Sequence, residues 1–175
     1  DFETIIDYET KSRMRPYSVS YGLFSEDAMM ELEMADKMGD EKRVQGLRDT
    51  HMRTSMGFDC VDEFIKWIVS VQVDKKLVFI GFNNSNFDNY ILIDRILEME
   101  CDDIKVSNIM YNGSQLLNAT INGRHTFFDL SRHLLGTLEK CCEGFKVKMC
   151  SKLKINHHYY QSQYDDGKLI DYITD

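Results

Sequence analysis

Asp1 and Glu3 lie two residues apart in Asp1-Phe-Glu-Thr-Ile-Ile6, a segment whose pattern reads as a β-strand already in progress. Side chains on a strand repeat every two residues, so both carboxylates project from one face and can share a cation. A third carboxylate, Asp88, follows the apolar run Leu77-Val-Phe-Ile80 by way of the turn cluster Gly81-Phe-Asn-Asn-Ser85. The C-terminal end of a strand is where open α/β sheets place their sites. Between strand and carboxylate, Asn83-Asn-Ser-Asn-Phe87 offers polar groups able to meet a phosphate or sugar, and a ring able to stack on a base. Carboxylates gathered from separate elements repel one another until cations bind, and oxygen-only ligands select Mg²⁺ or Mn²⁺ rather than Zn²⁺. Two such ions about 3.5–4 Å apart clamp the attacking and leaving oxygens of an in-line phosphoryl displacement. Each feature also has a plainer reading: a D-x-E pair is common in an acidic chain, and an Asp opening a helix commonly serves as its N-cap.

The elements that must position these groups follow from periodicity. After a polar turn, Pro16 introduces Tyr17 to Phe24, where Tyr17, Val19, Tyr21 and Leu23 alternate; this predicts a second strand in a hairpin with the first. Residues 25–56 are charged and Met-rich, with a helical start behind Ser25 and a periodicity that then fades, the pattern of an adaptable surface insertion. Asp59 reads as the cap of a helix with Val61, Phe64, Ile65, Ile68 and Val69 on one face. Lys76 to Gly81 predicts a strand buried on both faces, and a helix opens near Phe87. Strands are expected at Ile104–Met110, Leu116–Ile121 and His125–Asp129, a helix at Leu134–Phe145, irregular basic chain at Lys146–Tyr164, and a final helix after Gly167. The expectation is one mixed α/β domain over 1–175, with helices flanking a single sheet.

Composition narrows the classes. With 175 residues, 43% of them hydrophobic, the chain can bury a core, which excludes disorder as its main state. No apolar run approaches the ~20 residues of a membrane span, and no signal peptide opens the sequence, so no membrane partner and an intracellular setting are expected. Five cysteines without a C-x-x-C pair read as reduced thiols. The net charge of −8 argues against nucleic-acid binding by bulk charge alone, yet allows an enzyme that meets phosphate through metal ions. The adjacent His157 and His158 do not suit one shared ion. Neither end carries a cap or turn signal, which reads as a domain taken from a longer polypeptide.

Asp1-Phe-Glu-Thr4 resembles the first exonuclease motif of family B DNA polymerases, and Asn84-Ser-Asn-Phe-Asp88 resembles the second, N-x-x-F/Y-D. Tyr172 matches the tyrosine of the third, Y-x-x-x-D, whose aspartate falls one residue past the chain, with Asp175 one position short. Thr137-Leu-Glu-Lys-Cys141 is similar to the S/T-L-x-x-h segment that holds single-stranded primer ends; Leu130-Ser131 offers the same pair reversed. Lys152-Leu-Lys-Ile155 fits K-x-x-h, a signature of the protein-primed branch. The interval from Asp1 to Asp88 is longer than in compact phage members, with 25–56 as the insertion.

The resemblance implies a ribonuclease H-like fold, a 3′→5′ proofreading exonuclease of the DEDD type, and two Mg²⁺ or Mn²⁺ ions. It assigns catalysis to Asp1, Glu3, Asp88 and Tyr172, with Asp1, Glu3, Asp88 and Asp175 as the in-chain metal ligands. Thr4, Asn84, Phe87, Thr137, Leu138 and Lys152 would grip the 3′ end of single-stranded DNA. It further implies a polymerase domain in the same parent chain, a terminal priming protein as partner, and a viral, phage, mitochondrial or linear-plasmid setting. A free-standing DEDD-type ribonuclease, and an exonuclease-like scaffold without catalysis, are the alternatives.

Overall fold

The first two segments form the expected hairpin: β1 (Phe2–Asp7) runs antiparallel to β2 (Arg13–Gly22). The computed structural model describes residues 1–7, 13–71, 76–147 and 156–166. Ser25 caps α1 (Glu26–Lys37) by accepting the Ala28 N–H at 3.1 Å. The fading periodicity beyond it nonetheless forms α2 (Glu41–His51), capped by Asp40, and then β3 (Met52–Met56), which pairs antiparallel with β2. Residues 25–56 are thus a helical hairpin plus a strand integral to the first sheet. That hairpin buries only Ala28 and Ala35, which explains its weak apolar signal.

Helix α3 (Cys60–Ser70) buries Val61, Phe64, Ile65 and Ile68 as its stripe dictates; Asp59 precedes it but makes no side-chain cap, and Val69 is exposed. After β4 (Val78–Gly81), a short 3-10 turn over Asn84–Asn86 leads to α4 (Asp88–Met99). The three strand expectations appear as β5 (Val106–Asn112), β6 (Gln115–Ile121) and β7 (His125–Asp129). Helix α5 (Leu138–Gly144) starts later than expected, because Gly136 at φ 115° is not helical and Thr137 is the cap. The stretch expected to be irregular contains α6 (His157–Asp165), capped by Asn156, whose side chain accepts the Tyr159 N–H at 3.1 Å.

The expectation of one sheet needs correction. Among the described residues there are two: an antiparallel sheet in the order β1-β2-β3, and a mixed sheet in the order β4-β7-β6-β5, where only β4 and β7 run parallel. One core joins them, with Phe2 and Val19 on one side, Ile104 and Ile121 on the other, and the stripes of α3 and α4 between. Arg95 on α4 grips Asp62 on α3 through two hydrogen bonds of 2.6 and 2.8 Å, and this guanidinium holds the Asp62 carboxyl below its usual range.

The strand at 76–81 also differs from expectation. Among the described residues it pairs with β7 alone, and Val78 and Ile80, which share one face, are 49% and 65% exposed. An apolar run signals a strand but does not reveal whether both its faces are covered; here the face of Val78 and Ile80 lines the cleft. At the free edge of β1, side chains take the place of a neighbouring strand. Gln161 on α6 accepts the Ile6 N–H at 2.8 Å and donates to the Ile6 carbonyl at 2.9 Å. Tyr160 stacks on Tyr17 at 5.5 Å, and together with Ile5, Phe58 and Tyr164 they form a second apolar cluster that docks α6 on β1.

Candidate active site

Pro16 has no N–H to give a ladder, and the β1–β2 register slips where it enters. Glu3 pairs with Ser18, Thr4 pairs with Pro16, and Tyr17 is the extra residue between them. The bulge therefore sits at the D-x-E pair. Tyr17 is 3% exposed and its hydroxyl has no hydrogen-bond partner among the described residues; burial first, then the Glu3 carboxylate and Tyr160, push its pKa up to about 12.

Asp88 is the first residue of α4, not its cap; Phe87 holds the cap position and makes no side-chain cap bond. The Asp88 carboxylate is turned toward β1, where Oδ1 accepts the Phe2 N–H at 2.7 Å. Asp1, Glu3 and Asp88 consequently line one cleft of about 1590 Å³, together with Asn84, Ser131, Thr137 and Leu138. Its apolar wall includes Tyr21, Phe64 and Trp67, where the Tyr21 ring lies 4.5 Å from Phe64 and 4.6 Å from Trp67.

Asn84 is buried at 6% exposure, and its Oδ1 finds no partner among the described residues. It fits only because residue 81 is glycine: a Cβ there would stand 2.7–2.9 Å from the Asn84 side chain. Thr137 caps α5, accepting the Lys140 N–H at 3.3 Å, while Leu138 is 44% exposed at the cleft rather than turned into the core. Thr4 and Phe87 are half-buried and do not line the cleft. Lys152, Tyr172 and Asp175 lie outside the described residues.

One residue escaped the sequence reading. Asp129, at the end of β7 and 5% exposed, accepts the Asn83 N–H at 2.8 Å and the Ser85 N–H at 3.0 Å, and also the Ser131 N–H and hydroxyl at 2.9 and 2.7 Å. Burial raises the pKa of this carboxyl, but the donors from Ser85 and Ser131 outweigh burial and hold it down at about 2. The available signal was an Asp ending a strand just before a serine.

Comparison with protein-family models, curated proteins and solved structures finds no match. The site is therefore read from its own chemistry. Asp1, Glu3 and Asp88 provide only oxygen donors, which suits a hard divalent cation. A carboxylate that accepts one N–H at one oxygen keeps capacity at the other. Among the described residues, however, no three His, Cys, Asp or Glu side chains converge closely enough to form a metal-holding group.

Proposed function

We propose that the protein is a 3′→5′ exonuclease domain, ribonuclease H-like in fold, of a protein-primed family B DNA polymerase. The observation that carries this reading is the common cleft: carboxylates from the start of β1 and the start of α4 line it together with an amide whose oxygen lacks a partner among the described residues. Asp1, Glu3 and Asp88 would hold Mg²⁺ or Mn²⁺, with Tyr172 and an aspartate at or just past Asp175 completing the set. Bound there, two such ions would activate water and neutralise the leaving oxygen of the 3′-terminal phosphodiester. Asn84 Oδ1 would accept from a base or sugar donor, Leu138 would offer apolar contact to the strand, and Lys152 would offset phosphate charge. The partners in this reading are a single-stranded DNA 3′ end, a polymerase domain in the same parent chain and a terminal priming protein.

A second reading, a nucleic-acid-binding module without catalysis, draws on the Asp88 oxygen already held by Phe2 N–H and on the lack of three converging carboxylates among the described residues. A Mn²⁺ titration followed by electron paramagnetic resonance separates the two. The exonuclease reading expects saturable binding that Asp88→Asn weakens about tenfold or more, roughly 1.4 kcal/mol. Absence of saturable binding, with single-stranded DNA still bound, favours the module.

A further inference from the structure

We infer that Asp129 is a positioning residue for the strand-gripping edge of the cleft, an inference that rests on the exonuclease reading. A buried aspartate at a strand end invites assignment as a metal ligand. Its hydrogen bonds argue otherwise: Oδ1 takes three donors, from Asn83 N–H, Ser131 N–H and Ser131 Oγ–H, and Oδ2 takes the Ser85 N–H. A carboxylate has about four lone-pair sites, so these donors account for its capacity. Coordinating a cation would require releasing the loops it holds.

The two loops lie side by side, following the neighbouring parallel strands β4 and β7, and both line the cleft. Asn83 and Ser85 belong to the turn between β4 and α4, where Asn83 adopts the left-handed conformation at φ 63° and the cleft-lining Asn84, whose oxygen has no partner among the described residues, sits between the two anchored amides. Ser131 belongs to the turn after β7 and lines the same cleft. Asp129 thereby sets the distance between the Asn84 side and the Ser131 side, whereas Asp88 has a separate anchor in the Phe2 N–H. Loss of Asp129 should loosen the grip on a nucleotide while leaving the metal carboxylates in place.

The test compares wild type with Asp129→Asn, whose amide NH₂ would face backbone donors, and with Asp129→Glu, which keeps the charge but moves it by one methylene and carries the test if the amide variant does not fold. Three quantities are read: amide hydrogen exchange at Asn83 and Ser85, affinity for oligo(dT), and Mn²⁺ affinity. The expected result is faster exchange at both amides and about tenfold weaker oligo(dT) binding, with Mn²⁺ affinity held within about threefold. Unchanged oligo(dT) affinity in a folded variant overturns the role, whether or not exchange quickens, and so does a tenfold loss of Mn²⁺ affinity. A wild type that binds no oligo(dT) overturns the exonuclease reading itself, so the two failures are distinguishable.

Discussion

The Phe2 backbone N–H and the Asp88 carboxylate, 86 residues apart in the chain, meet in a hydrogen bond of 2.7 Å. This bond draws the start of α4 to the free edge of β1 and so decides which cleft Asp88 enters. It also gives Asp88 two separable properties, an acceptor for the fold and a charge for a cation. Asp88→Asn can keep the acceptor and lose the charge, whereas Asp88→Ala loses both. Asp88→Ala should therefore melt lower than Asp88→Asn by about 1–3 kcal/mol, the cost of stranding a part-buried donor, while both variants lose Mn²⁺-dependent trimming. Equal melting of the two would show that the bond contributes nothing.

Gly81→Ala should act on Asn84 from behind. The added methyl would stand 2.7–2.9 Å from the Asn84 side chain, which must move. A stability loss of about 1–3 kcal/mol is expected, with weaker oligo(dT) binding by fluorescence anisotropy. Unchanged melting and affinity would mean that the Asn84 position is not set by this contact.

The pH dependence of stability should carry the signature of Asp129. Its folded pKa of about 2 lies below the ~3.9 of an unfolded Asp, so its contribution is complete above pH ~4 and lost as pH falls toward ~2. On that linkage, wild type should lose roughly 2 kcal/mol more than Asp129→Asn across this window. Urea denaturation at pH 5.5, 4, 3 and 2.5 reads the difference; parallel curves would contradict it.

Gln161→Ala removes both hydrogen bonds with which α6 covers the edge at Ile6. The two bonds are exposed, so a loss of about 1–2 kcal/mol is expected. Exchange of the Ile6 amide should quicken at the same time, and an Ile6 amide that stays protected would show that the edge is covered in another way.

The legible parts of this molecule were those governed by neighbours in sequence. The α3 stripe of Val61, Phe64, Ile65 and Ile68 depends on local periodicity and appears as read, and the β1–β2 pair forms as expected. Its strict alternation does not, because the bulge at Tyr17 breaks it and β2 runs Arg13–Gly22, leaving out Leu23. Asp1, Glu3 and Asp88 were legible as candidates because their residue types and the turn before Asp88 are local features, and the fold brings them to one cleft. What the sequence hid is non-local. Asp129 owes its role to amides 46 and 44 residues earlier, and α6 owes its docking to a strand 155 residues away. The exposure of Val78 and Ile80 depends on what packs over their face of β4, which an apolar run cannot specify. In α2 no residue is fully buried, and the half-buried stripe of Val44, Leu47, Arg48 and His51 is half polar, so its apolar signal was weak.

The central claim is that Asp1, Glu3 and Asp88 form a metal-dependent 3′→5′ exonuclease site. Its most direct test is a time course of the protein with Mn²⁺ and a single-stranded oligonucleotide labelled at its 5′ end. The account predicts a ladder that shortens stepwise from the 3′ end, stops on chelation, and falls at least about a hundredfold, some 2.7 kcal/mol in barrier, for Asp1→Ala, Glu3→Ala and Asp88→Asn. No shortening at any Mn²⁺ concentration, or a ladder that persists undiminished in those variants, would contradict it.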